Sequence, residues 1–293
     1  MAGHLELTFD LGALDAAAAE EASFGAGALA VTLVDAEDDP VLEPKPGEVR
    51  LWPRTRVRSL FAHEPDAAAT VGRLASALNI PPARIDWVFV PDRAWEREWL
   101  KDFHAMCFGR RLWVCPFHEQ VTDPAAVVVN LDPGLAFGTG THASTALCLE
   151  WLDANLRPGA SVIDYGCGSG VLALAAAKLG AGAVHAFDID PQALIATTGN
   201  AARNNVGERI CVHAAADTLP ARTDVLLANI LSGALCELAP RFAALTGPGG
   251  QVVLAGIMES QAAEVTAAYA SCFDVARFGG RDGWACLAGR RHG

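Results

Sequence analysis

The stretch from Val162 to Val171 constrains this chain more than any other ten residues. A short apolar run, Val162-Ile163-Asp164-Tyr165, leads straight into glycines at 166, 168 and 170, and an alanine-rich segment follows. Three glycines at alternate positions suit neither a helix interior nor a continuing strand, so the chain turns here from strand to helix. A second β-type run, Ala183 to Phe187, ends on Asp188 and Asp190. Strand, glycine turn, helix, strand and acid, in that order, form the unit that holds an adenosine ribose at the carboxyl edge of a parallel sheet. Taken alone, Gly-x-Gly-x-Gly also fits a packing turn without a ligand.

The surrounding residues narrow the reading. Asp188 follows the turn by about 20 residues, where a carboxylate accepts from ribose hydroxyls. Asp164, inside the first strand, is a costly buried charge unless a cation or hydrogen-bond donor pairs with it, and a bound amino group would supply one. Gly166 and Gly168 let the backbone approach a ligand, and the helix starting at Ser169 offers unpaired amides to a carboxylate or phosphate. Ribose acceptor, ammonium acceptor and anion-binding helix end together describe S-adenosylmethionine. A dinucleotide site wants glycine or alanine at position 171, which is Val171 here.

Strand and helix alternate strictly on both sides of the turn. Helices are predicted over 142–156, 169–180, 191–206, 232–246 and 259–272, and strands over 161–166, 183–189, 209–213, 224–230 and 251–257. Two final β-type runs, 273–278 and 284–289, are split by Gly279-Gly280-Arg281-Asp282-Gly283. A doubly wound parallel sheet follows, with the last pair adding an antiparallel strand. Residues 4–91 read differently, as strand, helix, strand, strand, helix, strand, with the third strand at 49–57 and a proline-rich loop at Pro40, Pro44, Pro46 and Gly47. That βαββαβ order is ferredoxin-like. Between the two lies an aromatic-rich segment in which Trp95 and Trp99, at i and i+4, are expected to pack on a core or between domains.

Charge and cysteine usage exclude other classes. The net charge of −12 disfavours direct binding to a phosphate backbone. Residues 1–130 hold 20 acidic and 12 basic side chains, against 14 and 10 in the remainder. An acidic front half suits a basic protein partner, and equally suits a solubilising surface. The eight cysteines include no Cys-x-x-Cys pair, and the histidines no His-x-x-x-His. Reduced thiols in a cytoplasmic protein are expected, with no metal. Glu6, Asp10, Asp15 and Glu20 interrupt the first 20 residues, so neither a signal peptide nor a membrane span is expected.

Two further places carry polar groups toward the turn. Residues 131–145 form a Gly/Thr-rich approach to a helix, readable as a lid or as an ordinary capped entry with Thr141 or Thr145 as cap. His142 there is either a base or a structural residue. Asn229, at the end of strand 224–230, either faces the transferred group or caps the helix at Ser232. A Gln or nucleic-acid amine methyltransferase would show Asn/Asp-Pro-Pro-aromatic where this chain has Ala228-Asn229-Ile230-Leu231. An NAD oxidoreductase lacks its acid/base pair here, and a non-catalytic binding module, acting through residues 1–91, remains the third reading.

The chain resembles the PrmA family, the methyltransferases of large-subunit ribosomal protein eleven. The resemblance covers nearly the whole chain. It rests on Arg97 to His104, Phe108-Gly109-Arg110-Arg111-Leu112-Trp113-Val114-Cys115-Pro116, Leu131 to His142, the Asp164–Gly170 turn, Asp188-Ile189-Asp190-Pro191 and Ala228 to Leu231. It implies an α/β fold, a class I (Rossmann-like) S-adenosylmethionine methyltransferase domain at 131–293. It also implies an N-terminal α+β ferredoxin-like substrate-recognition domain at 1–93, with a linker at 94–130. It implies cofactor contacts at Thr145, Gly166, Asp188 and Asn229, to which the residue reading adds Gly168 and Asp164, with Asn229 as the catalytic candidate. The implied product is trimethylated, on lysine side chains and the terminal α-amine of the ribosomal protein. One departure is visible: the family's Thr-His-Pro-Thr-Thr reads Thr141-His142-Ala143-Ser144-Thr145 here, so the loop loses a rigid residue and keeps the threonine.

Overall fold

A computed structural model of the chain describes residues 3–37, 51–62, 66–91, 104–131 and 142–293. Trp95 and Trp99, the loop at Pro40 to Gly47, and most of the 131–142 motif lie outside them. The chain divides into two units, Met1–Trp95 and Glu96–Gly293.

In the first unit, β1 (Gly3–Asp10), α1 (Ala16–Gly25), β2 (Ala30–Asp35), β3 (Thr55–Ala62), α2 (Ala67–Leu78) and β4 (Asp86–Pro91) follow one another. The strands form an antiparallel sheet of order β2-β3-β1-β4, as the βαββαβ pattern requires. Leu5, Leu7 and Phe9 alternate into a core with Val57, Phe61, Val71 and Leu74, because successive strand residues point to opposite faces. Asp15 and Asp66 start the helices by accepting from Ala18 N at 2.9 Å and Ala68 N at 3.0 Å. The third strand is displaced from the expected 49–57. Alternation of Arg56 and Arg58 with buried Val57 and Ser59 carries it on to Ala62, and long charged side chains tolerate the outer face of a strand.

The second unit opens with a three-stranded sheet, β5 (Met106–Phe108), β6 (Leu112–Cys115) and β7 (Val127–Asn130), within the segment expected as a linker. Phe108, Leu112, Val114 and Val129 belong to the same core as the helices that follow. Gly109, at φ 77°, turns β5 into β6, and Arg110 N donates to Asp153 Oδ2 at 2.6 Å.

Then come α3 (Ala143–Asn155), β8 (Ser161–Tyr165), α4 (Val171–Lys178), β9 (Ala183–Phe187), α5 (Pro191–Arg203), β10 (Ile210–His213), β11 (Thr223–Asn229), α6 (Ser232–Leu245), β12 (Thr246–Met258), α7 (Ala262–Tyr269), β13 (Phe273–Arg281) and β14 (Trp284–Arg291). The sheet order is β10-β9-β8-β11-β12-β14-β13, and β14 runs antiparallel to both its neighbours. After β10 the chain crosses to the other side of β8, which makes the carboxyl ends of β8 and β11 the switch point where ligands bind in such sheets. The final hairpin turns on two residues rather than five. Asp282 and Gly283 both take positive φ, 51° and 79°, the backbone that a two-residue hairpin with right-twisted strands demands, so Gly279 to Arg281 stay in the strand.

Candidate active site

The glycine turn connects β8 to α4 and is tied to the end of β9. Gly166 N and Cys167 N donate to Phe187 O at 2.7 and 3.0 Å, and Gly168 N donates to Asp188 Oδ2 at 2.9 Å. Asp188 Oδ1 accepts from Asp190 N at 2.9 Å. Asp188 thus fixes the turn with one lone pair of each oxygen, and the second lone pair of each stays available to a diol. Gly166, Gly168 and Gly170 all hold positive φ, 80°, 54° and 82°. What a side chain would collide with at two of them is the protein itself: a Cβ on Gly166 would run into Ile230 Cγ2, and one on Gly170 would lie 2.8 Å from Thr197. The turn is therefore wedged between the end of β11 and helix α5.

Asp164 is 1% exposed. Its Oδ2 accepts from Ala173 N at 3.0 Å, so this carboxylate, not a ligand, takes an amide of the first turn of α4; Ser169 Oγ takes Val171 N at 3.4 Å. The amides expected to greet an anion at this helix start are to that extent already used. Among the described residues, Asp164 Oδ1 has no hydrogen-bond partner. Burial, with Asp188 adding repulsion, pushes the carboxyl up to about 7. Cys167, beside it in the turn, is no nucleophile: burial raises its thiol to about 12.

Asn229 ends β11, adjacent to β8, and its Nδ2 donates to Thr145 Oγ1 at 3.0 Å. It does not cap α6, whose N-cap is Leu231 with no side-chain bond. Thr145, 1% exposed, does not cap α3 either. His142 does: its Nδ1 accepts from Ser144 N at 3.3 Å and lies 2.7 Å from Ser144 Oγ, while its ring meets Trp284 edge-on at 4.6 Å. Burial lowers the His142 pKa, which fits a neutral capping imidazole. All the sequence-derived residues, Asp164, Gly166, Gly168, Asp188, Asn229 and Thr145, thus sit at one edge of the sheet, on β8, β9, β11 and the helix bonded to Asn229. A cavity of about 360 Å³ opens at the opposite ends of these strands, between Pro158 and Gly250, and holds none of them.

Sequence reasoning missed the helix that braces the turn. Thr197 Oγ1 donates to Gly168 O at 3.0 Å, and Asn200 Nδ2 to Ser169 O at 2.9 Å. One turn further along α5, the C-cap residue Asn204 bonds both backbone groups of Asn130, accepting from its N at 2.8 Å and donating to its O at 2.6 Å. The three lie at i, i+3 and i+7, one helical stripe, and all are buried. Polar residues on the apolar stripe of a helix were the available signal.

A seven-stranded sheet with its glycine turn, acids and asparagine at the switch-point edge defines a class I S-adenosylmethionine-dependent methyltransferase. The profile of one family, ribosomal protein L11 methyltransferase (PrmA), matches residues 4–292. A protein of that name from Methylococcus capsulatus is 50% identical over 274 residues, 92% of this chain and 93% of the relative. One from Vibrio cholerae is 48% identical over 269 residues, 91% of each. The crystal structure of a ribosomal protein L11 methylase from Lactobacillus delbrueckii subsp. bulgaricus superimposes with a TM-score of 0.60 and 31% identity, over 65% of this chain and all of that one. The chain belongs to the ribosomal protein L11 methyltransferase family.

Proposed function

We propose that the enzyme trimethylates lysine ε-amines and the N-terminal α-amine of L11, with Asn229 as the residue that positions the incoming amine. The observation that carries the reading is the buried, unpartnered Oδ1 of Asp164 beneath a turn whose neighbouring acid, Asp188, retains acceptor capacity. An orphaned buried carboxylate oxygen costs stability unless a donor meets it, and the ammonium of a methionine moiety is such a donor.

The cofactor supplies an activated methyl on a sulfonium, so the protein has to align rather than activate. Asp188 receives the ribose hydroxyls, Asp164 the amino group, and Gly166 and Gly168 form the floor. Thr145 holds the NH₂ of Asn229, which leaves the carboxamide oxygen as an acceptor for amine hydrogens. An amide accepts hydrogen bonds and not protons, and His142 is engaged as a cap. The lysine therefore arrives neutral, as burial next to a cation favours. Each transfer but the last leaves a methylammonium that loses a proton to solvent, and rotation of the neutral amine in place then permits the next.

Residues 1–93 recognise the substrate, and residues 131–293 carry the chemistry. On the first unit, Asp10 lies 2.9 Å from Arg56 and Glu6 lies 4.0 Å from Arg58, a mixed-charge face suited to a protein and not to a phosphate backbone. L11, free or assembling, is the partner, with no nucleic acid or membrane surface in direct contact. Eight free cysteines and no disulfide fit a cytoplasmic location, and among the described residues no helix is long and apolar enough to cross a membrane. Transfer of labelled methyl to purified L11, followed by mass spectrometry of the modified positions, tests the proposal. Label on no lysine and no terminal amine would overturn it.

A further inference from the structure

We propose that His185, Cys211 and His213 form a binding site for one divalent transition-metal ion of zinc type, apart from the methyl-transfer residues. Strands β9 and β10 pair in parallel with Cys211 opposite His185. Cys211 and His213 are two apart on β10, so they share a face of the sheet with His185. The ligating atoms of all three lie within 4.8 Å of one another. A tetrahedral zinc ion, with bonds of about 2.0–2.3 Å, holds two nitrogens about 3.3 Å apart and a nitrogen and a sulfur about 3.6 Å apart. His185 Nδ1 and His213 Nε2 are already 2.9 Å apart, so they need part by only a few tenths of an ångström.

The hydrogen bonds aim the lone pairs correctly. Thr218 Oγ1 donates to Ala215 O at 2.7 Å, so at its 2.8 Å contact with His213 Nδ1 the hydroxyl accepts. His213 Nδ1 therefore carries the proton, and the lone pair of the neutral ring is on Nε2, facing His185 and Cys211. An outer hydrogen bond that fixes the tautomer of a ligating imidazole is the regular accompaniment of metal sites. The neutral His185 ring binds through Nδ1 once its proton resides on Nε2, and Cys211 binds as thiolate, releasing one proton to solvent. The connection from β10 to β11 contains a short 3-10 turn, Ala216–Thr218, where a doubly wound fold usually places a helix, and Cys211 is exposed. One nitrogen-rich, one soft ligand set suits zinc, and three protein ligands leave a fourth position for water or a further group. Spacing rules for zinc in loops and helices overlook the site, because its ligands come from two parallel strands.

The untagged full-length chain, stripped with chelator, is titrated with Zn²⁺ by calorimetry and with Co²⁺ by absorption. One ion per chain and a thiolate-to-cobalt charge-transfer band are expected. Cys211→Ser should abolish that band and weaken zinc by at least about tenfold, and Thr218→Val by about tenfold, through the tautomer. Cys107→Ser, at the other exposed cysteine, should change neither. Zinc should raise the melting temperature of the parent and not of Cys211→Ser. Should His185→Gln or His213→Gln not fold, the exposed Cys211 still decides the question. Absence of stoichiometric uptake, or uptake unaffected by Cys211→Ser, would overturn the proposal.

Discussion

Asn229 and Thr145, 84 residues apart, are joined by a 3.0 Å hydrogen bond from the carboxamide NH₂ to the threonine hydroxyl. The bond ties the end of β11 to the first turn of α3 and leaves the carboxamide oxygen with one orientation. Asn229→Ala should slow methyl transfer while leaving the melting temperature close to the parent's. Thr145→Val should have the same sign and a smaller effect, and the two should couple by about 0.5–1.5 kcal/mol in a double-mutant cycle on single-turnover rates. Purely additive effects would show that the bond does not position the amide.

Asp188 fixes the turn and, on the proposed reading, also takes the ribose of the cofactor. Asp188→Ala should weaken S-adenosylmethionine by about 1–3 kcal/mol by calorimetry, since a charged hydrogen-bond acceptor is lost. It should also speed hydrogen exchange at the Gly168 amide. Unchanged affinity would remove Asp188 from the site.

If Asp164 holds the cofactor's amino group, as proposed, cofactor binding should depend on pH. Its folded pKa, about 7, lies above the unfolded value of 3.8, so the native state holds a proton that the unfolded chain has lost. Stability of the cofactor-free protein should therefore fall as pH rises from about 4 to about 7 and level off above. Binding of an ammonium requires the carboxylate, so affinity should rise with pH by up to about tenfold per unit below 7 and then flatten. Among the described residues, Asp188 is the one neighbouring charge that raises the Asp164 carboxyl; Asp164 in turn raises the thiols of Cys167, which burial raises most, and Cys148, which its hydrogen bond to Cys286 raises most. Asp164→Asn should abolish the slope, and an unaltered profile in that variant would assign it elsewhere.

Gly170 should tolerate no side chain. Gly170→Ala places a Cβ at φ 82° and 2.8 Å from Thr197, and should cost about 1–3 kcal/mol in denaturant unfolding. Combining it with Thr197→Ala relieves the collision and not the backbone strain, so only part of the loss should return.

Asn204→Ala should free both backbone groups of Asn130, the last residue of β7. A loss of about 1–3 kcal/mol is expected for leaving buried polar groups unpaired. Faster hydrogen exchange at Asn130 would locate the effect.

Much of this protein was legible residue by residue. The order of strands and helices, the glycine turn, Asp188 and the ferredoxin-like pattern all rest on local rules: period 2 or 3.6, glycine where φ is positive, acid at a strand end. Asn229 and Thr145 were also legible, with a cap as the alternative role for each, and the family resemblance added cofactor contact. Where local signals failed, they failed at boundaries and roles. β3 runs to Ala62 because arginines can occupy an outer strand face, and the last turn shrinks to Asp282-Gly283 because strand twist selects a two-residue turn.

The sequence by itself determined the alternation that makes a doubly wound sheet and the residue types that meet a nucleoside and an amine, because each depends on neighbours within a few positions. Only the tertiary structure decided what those residues do for the protein itself. The turn glycines yield to Ile230 and Thr197, Asp164 caps α4 with one oxygen and leaves the other without a partner among the described residues, and His142, not Thr145, caps α3. It also brought His185 beside Cys211 and His213. Such pairings join positions tens of residues apart, and no local pattern encodes which distant side chain arrives within 3 Å.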